Sequence, residues 1–313
     1  MAFNLKKNRH LYPFSPKSFD RGNGVRMSYI DEGQVEPLVM VHGNPSWSFL
    51  YREVIKEFQS SFRTIAPDHI GCGLSDKPND DKYSYKLKSR IDDLEALLEH
   101  LKVTENINLM VHDWGGAIGM GYAVRHPDRI KRLIITNTGA FHMPSDMTFP
   151  WPLHTFKHCP TGEFLNRYFN AFSSIASITC SAHGLPADVR KAFVAPYDSY
   201  ESRVATTRFV QDIPLTPEDD SYSTLSEIDE GLEKLIERPM LILWGRRDFV
   251  FHRSFFREWL KRFPQASAHS FSGAGHYLLE DVFDKVKPLM RSFLTERSAK
   301  HSETPQLTSL KTT

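Results

Sequence analysis

What the sequence lacks narrows its function first. Its 313 residues contain no uninterrupted apolar run approaching the roughly 20 needed to cross a bilayer. The opening stretch MAFNLKKNRHLYPF has no apolar segment of the kind a secretory leader carries. We therefore expect a soluble, unprocessed, cytoplasmic protein without a membrane span. Cysteine is scarce. Cys72, Cys159 and Cys180 form no Cys-x-x-Cys pair, and three thiols cannot all pair within one chain, which favours the same reducing compartment. An excess of either charge is missing too: 39 Lys and Arg stand against 38 Asp and Glu, a formal net charge of +1. That balance excludes the basic footprint of a nucleic-acid or anionic-membrane surface and leaves a small, uncharged substrate as the expectation. No His, Asp or Glu cluster has metal-ligand spacing such as His-Glu-x-x-His, so neither a metal nor a cofactor is implied.

What is present is an alternating rhythm. With 40% hydrophobic residues the chain can bury one large core. Short runs rich in β-branched residues predict strands over 37–41, 63–67, 106–112 and 129–137, and apolar three-and-four spacing predicts helices over 85–101 and 116–125. The fold class expected is α/β, a mostly parallel central sheet flanked by helices. After Asn137 the rhythm breaks. Residues 141–228 are rich in aromatics, Pro and Ser with short helical patterns, which predicts an inserted helical cap. The rhythm resumes with a strand at 240–244, a helix at 254–263, a strand near 268–271 and a helix over 277–294. The expected organisation is a core of 1–140 and 229–295, a cap of 141–228, and a polar tail of 296–313 too poor in apolar side chains to order itself. There is no internal repeat.

The strongest chemical signal is LMVHDWGG, residues 109–116, an apolar strand meeting a helix through a sharp turn with Asp113 at its apex. This reads as a nucleophile elbow with Asp in place of Ser, although Val111 occupies a position where the G-x-Nu-x-G pattern has glycine. Taken alone, Asp113 reads equally well as an N-cap worth about 1 kcal/mol. HGNP at 42–45 follows the strand 37–41 and can bring the backbone N–H of Asn44, beside that of Trp114, to the same centre. Asp248 follows the strand 240–244 and His276 sits in GAGHYLLED. Nucleophile, acid, histidine is the chain order of the α/β-hydrolase fold, whose functional loops share the carboxyl edge of the sheet. A carboxylate attacks an sp³ carbon without prior deprotonation. His276, oriented by Asp248, would activate water on the resulting ester, while the indole N–H of Trp114 and the amide of Asn44 would stabilise a departing anion. A serine hydrolase is disfavoured, since Ser46 and Ser75 lie on no elbow.

Together HGNPSWSF, PDHIGCGLSDKP, VHDWGG, WGRRDFVF and GAGHYLLED resemble the haloalkane dehalogenases over nearly the whole chain except its ends. The resemblance implies Asp113, His276 and Asp248 as catalytic residues, with Asn44 and Trp114 as the halide pair of the third dehalogenase subfamily. The other strand end that can carry the acid in this family offers Asn137 here. HIGCGLSDKP and the stretch APYDSYESRVATTRFVQDIPL also resemble the β-lactone decarboxylases of olefin biosynthesis, relatives with the same site. Haloalkane dehalogenase is the main expectation and β-lactone decarboxylase the alternative. An epoxide hydrolase is a second alternative, weakened because that family usually has an aromatic residue where this chain has Asn44. Fluoroacetate dehalogenases lose ground through Trp114, where they typically carry Arg. A catalytically silent binding scaffold would lack a triad member, and none is missing. The partners implied are a small apolar substrate, haloalkane or aliphatic β-lactone, and a halide ion; a homo-oligomer stays open. The aromatics Phe141, Trp151, Phe156, Phe164, Phe169 and Phe172 either line an apolar slot or form the core of the cap.

Overall fold

The computed structural model describes residues 4–22 and 24–296; positions 297–313, nearly all of the expected tail, lie outside the described residues. Among those described, eight strands form one sheet: β1 Lys17–Asp20, β2 Arg26–Glu32, β3 Pro37–Val41, β4 Arg63–Pro67, β5 Ile107–Asp113, β6 Ile130–Thr138, β7 Met240–Gly245 and β8 Ser267–Phe271. Their spatial order is β1-β2-β4-β3-β5-β6-β7-β8, parallel from β4 to β8, with β1–β2 and β2–β4 antiparallel. The helices are α1 Arg52–Phe58, α2 Leu87–His100 and α3 Trp114–Arg125, then α4 Trp151–His158, α5 Pro160–Phe169, α6 Ala171–Thr179, α7 Ala187–Val194, α8 Val204–Gln211 and α9 Tyr222–Gly231 between β6 and β7, and finally α10 Arg253–Arg262 and α11 Leu278–Thr295. None of the described helices is long and apolar enough to cross a membrane.

The two-residue period of the strands divides the core. On β3, Val39 and Val41 face one layer with α2 and α3, while Leu38 and Met40 face the other with α1 and α11. On β7, Ile242 and Trp244 go to the first layer, Leu241 and Leu243 to the second. Both faces are covered, so the inner strands are mainly apolar and almost wholly buried, as parallel strands are. Each fully buried Leu or Val contributes roughly 1.5–3 kcal/mol. Strands β1 and β2 were not expected. Their sequences, KSFD and RMSYIDE, mix charge with apolar residues, and the charge is paired across neighbouring strands: Asp31 of β2 meets Lys17 of β1 at 3.0 Å and Arg63 of β4 at 2.8 Å.

The departure at Val111 has a local compensation. A Cβ placed on Gly119 of α3 would stand 2.6 Å from Val111 Cγ1, so bulk on the strand is matched by a glycine one helix turn into α3. Gly119→Ala is expected to lose about 1–3 kcal/mol through overpacking. Adding Val111→Ala should return part of that loss in a double-mutant cycle of urea midpoints. Strict additivity would overturn this account of the packing.

Candidate active site

Strand β5 is buried throughout and ends at Asp113, whose backbone adopts φ 54° and ψ −128°, a sparsely populated conformation costing about 1–3 kcal/mol. Close packing holds the turn. A Cβ on Gly115 would collide with the Val41 carbonyl, and one on Gly116 with the Thr138 hydroxyl, which itself donates to the Asp113 carbonyl. The start of α3 is thereby wedged between the ends of β3 and β6. A Cβ on Gly43 would strike the Asp113 carboxylate, so only glycine lets the loop after β3 lie against that side chain. The carboxylate makes no capping hydrogen bond to α3, which disposes of the N-cap reading.

The backbone N–H of Asn44 donates to Asp113 Oδ1 at 2.6 Å, and the N–H of Trp114 lies close enough to favour the charged carboxylate. The other oxygen, Oδ2, faces His276 Nε2 at 3.6 Å. His276 Nδ1 pairs with Asp248 Oδ2 at 2.8 Å, and Asp248 Oδ1 accepts from the N–H groups of Val250 at 2.7 Å and Phe251 at 3.1 Å. Asp113, His276 and Asp248, far apart in sequence, thus converge and are buried. Two non-equivalent oxygens on Asp113 follow: one already held by the Asn44 N–H, as the carbonyl oxygen of an ester must be, and one turned toward the histidine.

Burial raises the pKa of Asp113 above its ordinary value, opposed by His276 and the two N–H groups. Burial also disfavours charge on Asp248, but His276 and the Val250 and Phe251 N–H groups outweigh it and hold that carboxyl below the usual range. For His276, burial is outweighed by Asp248 and Asp113, leaving the imidazole more basic than usual. The site therefore contains a carboxylate that gains from losing its charge and a histidine stabilised when it gains one, a pairing suited to nucleophile and base.

Asn137 does more than stand where an acid is absent. Its Nδ2 donates to Asp248 Oδ2 at 2.9 Å and to the Gly245 carbonyl at 3.0 Å, while its Oδ1 accepts from the Gly245 N–H at 2.7 Å. It thereby fixes the acid from the neighbouring strand. His112, just before Asp113, donates through Nε2 to the His276 carbonyl at 2.8 Å and is pushed down to about 3 by burial, so it stays neutral. His42 and His69 interlock under the HGNP loop, with His69 N–H to His42 Nε2 at 3.1 Å and His69 Nε2 to the His42 carbonyl at 2.8 Å. Asp68, in PDHIGCGLSDKP, accepts from the N–H groups of Ser48 at 2.7 Å and Leu74 at 2.8 Å. That motif pins the loop bearing Asn44. These supporting roles were missed because nothing in the sequence pairs a loop residue with its distant partner.

Asn44, Asp113, Trp114 and His276 line a cavity of about 200 Å³. The rest of its wall is mainly apolar, including Phe141, Met147, Leu153, Phe156, Phe172 and Phe255. Of the six aromatics singled out in sequence, Phe141, Phe156 and Phe172 line this cavity, whereas Trp151, Phe164 and Phe169 are exposed. The last three belong to neither of the expected arrangements. Asn44 Nδ2 donates to the Thr206 carbonyl of α8 at 3.1 Å. Among the described residues, no group of three or more His, Cys, Asp and Glu side chains is arranged to hold a metal ion.

A family profile described as alpha/beta hydrolase fold matches residues 36–282. The chain belongs to the α/β-hydrolase family. Within this α/β-hydrolase family, a protein of Shewanella oneidensis named cis-3-alkyl-4-alkyloxetan-2-one decarboxylase is 52% identical over 287 residues, 91% of this chain and 90% of that one. One of the same name from Xanthomonas campestris is 46% identical, covering 90% and 97%. Haloalkane dehalogenase 2 of Mycobacterium bovis is 28% identical over 91% of this chain and 97% of its own. Among solved α/β-hydrolase structures, a loop variant of haloalkane dehalogenase DbeA from Bradyrhizobium elkanii superposes with a TM-score of 0.79 at 24% identity, over 90% and 96% of the two chains, which shows shared fold. Both resemblances seen in the motifs are thus borne out. The balance between them shifts, since the relatives named decarboxylase are far more similar than the dehalogenase.

Proposed function

We propose that this α/β hydrolase is a decarboxylase of cis-3,4-dialkyl β-lactones, releasing carbon dioxide and a cis-olefin. The observation that carries the reading is the pairing of the greater similarity to proteins of that name with a lone carboxylate nucleophile facing an apolar cavity. In this reading residues 141–228 cap a core of 1–140 and 229–295, and Asp113, His276, Asp248, Asn44 and Trp114 are the working residues.

Asp113 Oδ2 attacks the ring carbon that bears the lactone oxygen, forming a carbon–oxygen ester bond as the ring carbon–oxygen bond breaks. The ring acyl group leaves that bond as a carboxylate. Trp114 Nε1–H and Asn44 Nδ2–H stabilise this charge, and the N–H of Asn44 continues to hold Oδ1 as the ester carbonyl. The carbon–carbon bond to the new carboxylate then breaks, its electron pair forming the alkene, while the ester bond returns its pair to Asp113. One lactone becomes one carbon dioxide and one olefin; no water is consumed. Inversion at the attacked carbon followed by anti elimination converts a cis lactone to a cis olefin. Haloalkane dehalogenation uses the same first step with halide leaving, and then needs His276 to activate water on the ester.

The test is a paired assay of the purified protein: olefin by mass spectrometry from a cis-β-lactone, and halide release from bromo- and iodoalkanes. Olefin should form rapidly and halide slowly. Efficient halide release without olefin would return the assignment to haloalkane dehalogenase.

A further inference from the structure

A buried cation stands behind the proposed anion pair, and the reaction above does not use it. Arg90 lies on α2 with its side chain at 0% exposure. Its Nη1 donates to Asp212 Oδ2 at 2.9 Å, whereas Nε and Nη2 are buried without a hydrogen-bond partner among the described residues. The guanidinium carbon lies 3.7 Å from the ring centroid of Phe209 and 5.3 Å from that of Trp114, and Phe209 meets Trp114 edge-on at 5.4 Å between centroids. A buried ion pair rarely stabilises a fold more than an apolar pair of the same volume would. Two donor nitrogens without a partner make this one poorer still. Stability therefore gives no reason to keep a charge here.

The pair is held in place with care. Asp212 also accepts from the Leu87 N–H at 2.9 Å and from the Ser221 hydroxyl at 2.8 Å. Thr206, Phe209 and Asp212 fall three residues apart, along one ridge of α8 and its end. The Thr206 carbonyl holds the amide of Asn44, Phe209 packs on Trp114, and Asp212 holds Arg90. One helical ridge thus touches both residues assigned to the anion.

We propose that Arg90 is a positioning residue for anion binding: its cation, fixed by Asp212 against Phe209 and Trp114, draws electron density from the indole and strengthens Trp114 Nε1–H as a donor. This rests on the reading of Trp114 and Asn44 as anion donors. The anion served is the carboxylate that forms as the lactone opens, or a halide.

Bromide is the probe, its binding followed by quenching of tryptophan fluorescence in the full chain, with Trp114→Phe as the reference that removes the signal. Arg90→Met should weaken bromide about tenfold, within the range of a desolvated cation–π contact. Arg90→Lys should recover part of that loss. Asp212→Asn, which keeps the cation and deletes its counter-charge, should bind bromide at least as tightly as the wild type. If Arg90 merely fastens α2 to α8, Asp212→Asn and Arg90→Met weaken bromide alike, Arg90→Lys gives no rescue, and the proposal falls. Should Arg90→Met fail to fold, Arg90→Lys and Asp212→Asn decide between the same outcomes. A wild type without quenching that depends on Trp114 overturns the anion site and this proposal with it. Olefin formation by the same sample judges the decarboxylase reading separately.

Discussion

Asp113→Ala is expected to end turnover on lactone and bromoalkane alike, with kcat lowered on the order of 10⁴-fold or more, the scale on which loss of a covalent nucleophile acts. Activity alone would not separate chemistry from collapse of the elbow, so Asp113→Asn should be measured beside it. Burial raises the Asp113 pKa above its ordinary 3.8, so the folded state disfavours the charged carboxyl. A raised pKa gives stability that is complete below the unfolded value and lost as pH rises through the folded one. Wherever the wild-type carboxyl is ionised, as its attack requires, that stability is lost. Asp113→Asn should therefore be inactive yet at least as heat-stable as the wild type at pH 7, its advantage shrinking on acidification. An inactive variant that also melts far earlier would assign Asp113 a structural role instead.

His276→Phe should divide the two reactions of this one site. With a bromoalkane, Asp113 still attacks and releases halide, but no base remains to activate water on the ester. We expect about one equivalent of halide per site, a protein heavier by the alkyl group in intact-mass spectra, and steady turnover lowered on the order of 10²- to 10⁴-fold, the usual worth of general-base catalysis. With a β-lactone the ester breaks down by losing carbon dioxide, so multiple turnovers should survive. If the lactone reaction also stops after one equivalent and leaves an adduct, hydrolysis by His276 belongs to that reaction too, and the collapse step proposed above is wrong.

Much of this was legible beforehand, for physical reasons. Strands β3 and β4 have the bounds expected from their short apolar, β-branched runs, because strands covered on both faces are mainly apolar. Asp113, Asp248 and His276 were legible because the fold brings its functional loops to one sheet edge. The antiparallel β1 and β2 were not, since β1 is an exposed edge and β2 beside it mixes Arg26, Ser28, Asp31 and Glu32 with its apolar residues. Arg90 was illegible for the opposite reason: a charge on an amphipathic helix normally faces solvent, and only Asp212, far along the chain, shows that this one does not. Asn137 could be recognised as a missing acid, yet its grip on Asp248 depends on β6 and β7 running side by side.

The ridge of α8 carries a further consequence. Through Thr206 and Phe209 one helix touches both Asn44 and Trp114, so on the proposed reading the free energy of seating that helix and the free energy of holding an anion would be coupled, and coupling is reciprocal. An anion at Trp114 would then latch the helix down, and a latched helix would retain the anion. A halide, charged until it escapes, would keep its own exit closed. A carboxylate that turns into neutral carbon dioxide would release the latch in the act of reacting, so for a β-lactone the chemical step would also be the signal to open.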